Sequence, residues 1–215
     1  MIKVSEIVVE MLQKDEMALE ALRAGVLNLS SYARKIQPQI EKRLYKPVKL
    51  GSIVTALSRI KLEDKGIVPL RPDVRIEDMS IKSPLCEITY EKTDEVLAKL
   101  PKLKTKRDAN NKFFTITQGV GEVTIIMPEN LENVVNEHFG IMPKGQYQDL
   151  VAITVRFVEE EYIEVPNMIY ALVAALASKR INLIEIVSTF TEISFIVRQK
   201  DMSETVDILK EHFSQ

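Results

Sequence analysis

Cysteine and histidine are scarce in this chain. Its 215 residues include one cysteine, Cys86, and two histidines, His138 and His212. A single thiol excludes an internal disulfide framework and a cysteine-rich zinc site. Two imidazoles leave little for a histidine metal centre, and acid–base or nucleophilic catalysis has few players. No P-loop, G-x-S-x-G or H-E-x-x-H pattern occurs. Gly119 and Gly121 fall inside an expected hairpin, which rules out a dinucleotide fingerprint there. The longest uncharged apolar run, Met168–Ala177, has ten residues and is too short to cross a bilayer. Met1–Lys14 mixes Lys3, Glu6, Glu10 and Lys14 into its apolar residues, unlike a signal peptide. The expectation is a cytoplasmic, non-enzymatic protein with no metal and no cofactor.

The charge is unevenly spread. The formal net charge is −2, yet residues 1–61 carry +5 and the remainder −7. From Arg23 to Lys61 nine basic residues face one acidic residue, Glu41. Such segregation marks either a solvated helical face or a surface for a polyanion.

The apolar spacing changes along the chain. Val4, Ile7, Val8, Met11 and Leu12 form a helical stripe that Leu19 and Leu22 extend, so one helix is expected over 3–22 with Gly25 as its cap. A second is expected from Ser30 or Ser31 through Leu44, kinked or split at Pro38, and a third over 49–60. Residues 62–73, with Gly66, Pro69 and Pro72, read as a linker. Beyond it strands are expected at Val74–Ile76, Leu85–Tyr90, Phe113–Thr117, Glu122–Met127, Val151–Val158, Asn182–Thr189 and Glu192–Arg198. Helices are expected at Thr93–Leu100, Pro128–Phe139, Pro166–Ser178 and Ser203–Phe213.

That order is a repeat: strand, helix, strand, strand, helix, twice. Both final helices end in Glu-His-Phe, at 137–139 and 211–213. Such a unit packs two helices on one face of an antiparallel sheet, the ferredoxin-like arrangement, whose fourth strand follows the second helix. The second copy has no such strand, so Val74–Ile81 is expected to fill that edge. The fold class is therefore α+β. A helical domain spans 1–61, a linker 62–73, a first module 74–148 and a second module 149–215.

Val151–Val155 leading to Val165-Pro166-Asn167-Met168, then Ile181-Asn182-Leu183-Ile184, then Ser188–Val197, resembles an ACT domain, a module that senses amino acids in biosynthetic enzymes. Tandem copies are most similar to the regulatory region of aspartate kinases. The family usually has Pro-Gly where this chain has Pro166-Asn167, and the first copy lacks such a loop. The resemblance implies a small ligand, an amino acid, bound where two modules meet, and a homodimer in which the partner supplies half the site. Asn28–Arg34 and Val48–Arg59 weakly resemble a helix-turn-helix unit, with Arg34, Lys35, Lys49, Ser52, Thr55 and Arg59 as candidate nucleic-acid contacts.

The ligand site is placed at Val165, Pro166, Asn167 and Met168, with Asn182 and Ile184 from the following strand. Pro166 suits a first helical turn, and the free N–H groups behind it can hold a carboxylate. Asn167 and Asn182 can equally serve only to shape turns. His138 and His212 read as helix-end caps, Cys86 as a buried small hydrophobe, and Glu159–Glu161 as a solvated loop. The apolar arc Met168, Ile169, Leu172, Val173 and Leu176 suits self-association or a buried core helix. The resulting expectation is a tandem ACT-like regulator. Its helical domain contacts DNA or, alternatively, an enzyme of amino-acid biosynthesis.

Overall fold

The computed structural model describes residues 3–60, 71–72, 75–103, 113–158 and 165–213. The chain divides into two compact units, Met1–Pro72 and Asp73–Gln215. Most of the expected linker and the Glu159–Glu161 run lie outside the described residues.

The first unit is helical. Its elements are α1 (Val4–Gln13), α2 (Glu16–Arg23), α3 (Leu29–Leu44) and α4 (Leu50–Ser58). Ile7, Val8 and Leu12 of α1 meet Leu19, Ile36, Ile40, Ile53 and Leu57 in one buried core. The single helix expected over 3–22 is broken, because Asp15 takes a non-helical conformation and its side chain accepts from Ala18 N (3.2 Å), capping α2. The cap of α3 is Asn28 rather than Ser30 or Ser31, since its Oδ1 accepts from Ser31 N (2.9 Å). Pro38 does not split α3. It lies on the exposed side, where water can satisfy the carbonyl one turn back.

Two hydrogen bonds fix the turn from α3 to α4. Glu41 Oε1 accepts from Val48 N (2.9 Å), and Gln37 Nε2 donates to Val48 O (2.8 Å). Asp15 also receives Lys35 Nζ at 2.7 Å, and that bond chiefly holds its carboxyl below the usual range. Asp15→Ala is expected to lower the stability of this unit by ~1 kcal/mol, read as a shift in the urea midpoint. Asp15→Asn, which keeps a capping oxygen, should retain most of it.

The second unit is α+β. In chain order it contains β1 (Ile76–Glu91), α5 (Asp94–Lys99), β2 (Thr115–Gln118), β3 (Glu122–Pro128), α6 (Glu132–Phe139), β4 (Gly145–Phe157), α7 (Met168–Ser178), β5 (Glu185–Ser188), β6 (Glu192–Arg198) and α8 (Met202–Phe213). The six strands form one antiparallel sheet in the order β2-β3-β1-β4-β6-β5. Short 3₁₀ turns precede α6 and α8, so the helix expected from Pro128 begins instead at Glu132.

β1 and β4 are longer than expected, and each serves both halves of the sheet. Leu85–Glu91 pair with β3, while Ile76–Lys82 pair with the later part of β4. Gly145–Leu150, at the start of β4, lie against the later part of β1. The edge beside Val151–Phe157 is thus filled by Ile76–Lys82, as the unpaired edge of the repeat required; Val74 lies outside the described residues. Register shifts mark where the strands change partners, and Asp149 there has φ 55°.

Strand alternation sorts the side chains onto two faces. Cys86, Ile88, Tyr90, Val123, Ile125 and Met127 pack under α5 and α6. Val151, Ile153, Val155, Ile193, Phe195 and Val197 pack under α7 and α8. Leu85 and Leu150 are in register on the opposite side, so the four described helices share one face. The helix-free face is nevertheless buried at its centre, where Leu85, Ile126, Leu150, Ala152 and Ile196 are each at most 2% exposed. Phe113, just before β2, and Ile184 and Val187, at the β5 edge, pack onto that centre. Edges of a flat six-stranded sheet stand ~24 Å apart, so this sheet curls to bring them over its middle.

Candidate functional site

The segment Val165–Met168 closes the approach to α7. The helix starts at Met168, not Pro166, because Asn167 adopts the left-handed conformation (φ 68°) and serves as its N-cap. Asparagine tolerates that conformation better than most residues, which makes it a workable substitute for glycine at this turn. The Asn167 side chain makes no capping bond, whereas its carbonyl accepts from Ala171 N (2.9 Å). The N–H groups of the first turn of α7 have no partner within the helix and stand at the positive end of its dipole.

The six candidate ligand residues do not converge. Met168 is buried and Val165 packs against the same core, so both face inward. Ile184 packs on the helix-free face, and its N–H donates to Ile196 O (2.8 Å). Pro166, Asn167 and Asn182 are exposed. Asn167 precedes the eleven residues of α7 and Asn182 follows them, so the helix length of ~16 Å separates the two asparagines. Within one chain they cannot grip one small molecule. Asn182 and Ile184 precede β5, which begins at Glu185 rather than at Asn182 as expected, and the two asparagines stand at opposite ends of the helix.

The apolar arc of α7 is split. Met168, Ala171, Leu172, Ala175 and Leu176 are buried, while Ile169 and Tyr170 are 48% and 43% exposed. Ile186 on the outermost strand β5 is 40% exposed.

In the helical unit the six nucleic-acid candidates are all exposed. Lys35 is nonetheless occupied, bonded to Asp15 and lying 5.7 Å from the Tyr32 ring centre. Ser52, Thr55 and Arg59 line an open groove of about 570 Å³ against Val4, Glu6 and Val9 of α1. Lys49 is the N-cap residue of α4, and Arg34 stands on the outer face of α3.

His138 Nε2 shares a hydrogen bond with Lys99 O (2.9 Å), tying α6 to α5. Cys86 is fully buried, and burial, ahead of the nearby Glu132 and Glu129, pushes its thiol up to about 12. Among the described residues no group of three or more potential ligands could hold a metal ion, and no helix is long and apolar enough to cross a membrane.

One notable residue escapes sequence reasoning. Glu87 is only 5% exposed in the middle of β1, and its Oε2 has no hydrogen-bond partner. Alternation places Glu87 with Leu85 and Thr89 on the face that an ordinary one-sided sheet turns to water. The available signal was Leu85 on that same face.

No protein-family model and no curated protein matches the chain. Solved structures do. The regulatory subunit of aspartate kinase from Thermus thermophilus, in a ligand-free form, aligns with a TM-score of 0.53 at 14% identity, over 65% of this chain and 99% of that one. The corresponding subunit from Thermus flavus aligns at 0.52 and 14% identity, over 64% and 98%. The Clostridium acetobutylicum aspartate kinase aligns at 0.53 and 13%, over 67% of this chain and 36% of the enzyme. At these identities the likeness is one of fold. About two thirds of the chain shares the fold of aspartate kinase regulatory subunits, in agreement with the ACT-like reading of Val151–Phe213.

Proposed function

We propose that the chain is a non-catalytic regulatory protein with two ACT-like modules that sense an α-amino acid. The observation that carries this is the left-handed Asn167 at the start of α7. The first-turn N–H groups that follow it stand at the positive end of the helix dipole, in a chain that shares the fold of a known regulatory subunit over 65% of its length. A ligand carboxylate would accept hydrogen bonds there. Since Asn182 stands at the far end of α7, a ligand touching both asparagines needs two copies of the chain. The exposed Ile169, Tyr170 and Ile186 beside the β5 edge suit that second copy. The ligand then favours one arrangement of copies over another, and the helical unit carries the response.

Two responses are compatible with the helical unit. Arg34, Lys49, Ser52, Thr55 and Arg59 would contact DNA, with Lys35 contributing only after leaving Asp15. The second response, contact with an enzyme of amino-acid biosynthesis, is favoured by the fold similarity to free-standing regulatory subunits. Binding that collapses between 50 and 200 mM salt indicates DNA; salt-insensitive binding to an enzyme indicates the second.

The test of sensing is a thermal-shift screen against the twenty amino acids. A ligand at 100 times its Kd adds ~2.7 kcal/mol, which raises Tm by several degrees. The expected outcome is a selective rise with one or two amino acids that disappears in Asn182→Ala while the fold is kept. No rise with any amino acid would overturn the proposal.

A further inference from the structure

Glu87 is a misfit that neither the fold nor the proposed site explains. Its neighbours on the helix-free face are identified by register. On β1 they are Leu85 and Thr89. Across from Glu87 stand Ile126 of β3 and Tyr147 of β4. The apolar centre of the face, including Ile196 of β6, lies beside it. The hydroxyl beside it on β1 is already paired, Thr89 with Thr124 (2.9 Å). Lys82 and Arg198 share the face by register with Ala152 and Leu150, yet Glu87 Oε2 accepts from neither. The charged group that acts on it is another carboxylate, Glu185 at the start of β5.

The Glu185 charge acts on Glu87 across the sheet, and the curl of the sheet shortens the span between their strands. β1 and β5 are three strands apart in the sheet, ~14 Å if it were flat. Ile184 and Val187 flank Glu185 and pack into the same cluster as Leu85. Among the described residues β5 is the outermost strand and pairs only with β6. Its inward seat therefore depends on this apolar cluster and on what Glu87 presents to it.

We propose that Glu87 is a proton-operated catch for the β5 edge. With the proton on, the neutral carboxyl lies in the apolar fold of the sheet and β5 stays seated. With the proton off, a buried, unpaired charge faces Glu185, and the arrangement relaxes by moving β5 outward, where both carboxylates reach water. In keeping with this geometry, burial first and the Glu185 charge second push the Glu87 carboxyl up to about 7. The catch therefore works around neutral pH. It needs no ligand. Its link to sensing does rest on the function proposed above, since Asn182 and Ile184 lead directly into β5.

The test is amide hydrogen exchange on the full chain without ligand, at pH 6 and pH 8, corrected for intrinsic exchange. If the opened state returns Glu87 to an ordinary carboxyl, protection of Ile184–Ser188 should fall about tenfold between those pH values. The helical unit should show no such change. Glu87→Gln should abolish the fall, and Glu185→Gln, which removes the lesser cause, should reduce it. Constant wild-type protection across pH 6–8 overturns the proposal, and that measurement needs no variant. A fall that persists undiminished in Glu87→Gln overturns it as well. Neither outcome depends on whether an amino acid binds.

Discussion

Phe139→Ala is expected to cost the sheet unit ~3–5 kcal/mol, the largest effect of any single truncation considered for this molecule. The ring is fully buried at the end of α6, with its centre 4.5 Å from that of Tyr90 and 5.2 Å from that of His138. Removing it forfeits the transfer energy of an aromatic side chain and leaves a cavity. Whether the cavity can close decides the magnitude. Here the surroundings are pinned: Lys99 Nζ donates to the Phe139 carbonyl (2.6 Å), and the His138 ring bonds the Lys99 carbonyl. Tyr90 is held in turn through its hydroxyl to Asn136 (3.1 Å). The neighbours cannot easily slide inward, so the cost should lie toward the upper end of that range. Urea unfolding monitored on the sheet unit would measure it. A loss below ~1 kcal/mol would mean that α6 repacks freely and that these bonds do not hold it. Phe213, the matching residue of α8, retains 7% exposure and should be less costly to truncate.

The second large effect depends on pH. The Glu87 carboxyl sits at about 7 in the folded chain against an ordinary value of 4.5. A folded value above the unfolded one means that the native state holds the proton more tightly. The associated stability is complete below about pH 4.5 and is lost as pH rises through about 7. That displacement corresponds to ~3 kcal/mol at pH 8. Glu87→Gln carries no such penalty. Wild type and variant should differ little at pH 4.5, and the variant should be the more stable by up to ~3 kcal/mol at pH 8. The difference between the two, rather than either curve alone, isolates Glu87 from the other carboxylates. A variant that is less stable at pH 8 would show that the charged form of Glu87 has a partner.

These two residues illustrate what could be read from the chain. Phe139 was legible: it closes a helical stripe, its segment recurs as Glu-His-Phe, and both copies place the Phe in a core. The β6 span was legible too, because Ile193, Phe195 and Val197 recur at every second position and all three are buried. Glu87 was not, since period-two alternation reveals which residues share a face but not whether that face meets water. Only the curl answers that, and curl arises from contacts among residues far apart in the chain. The break at Asp15 was hidden for a different reason. Its apolar neighbours keep helical spacing across the gap, and a single side-chain cap overrides the pattern. The turn before α7 was legible from Pro166-Asn167, whereas the strand expected from Asn182 begins at Glu185. The separation of Asn167 from Asn182 was not visible, because it follows from the direction in which α7 runs.

The double service of β1 and β4 has a consequence for how such a molecule can change over generations. Two halves of like topology are ordinarily free to drift, to be lost singly or to be multiplied into arrays. Here each half borrows the outer strand of the other: Ile76–Lys82 complete the later half, and Gly145–Leu150 border the earlier one. Deleting either half would strip a strand from the survivor and expose its edge. Adding a third would leave it no strand to borrow. The earlier half lacks the Pro-Asn turn at Pro166-Asn167, yet it stays indispensable as the structural creditor of its neighbour. A segment can thus remain under selection for the strand it lends alone.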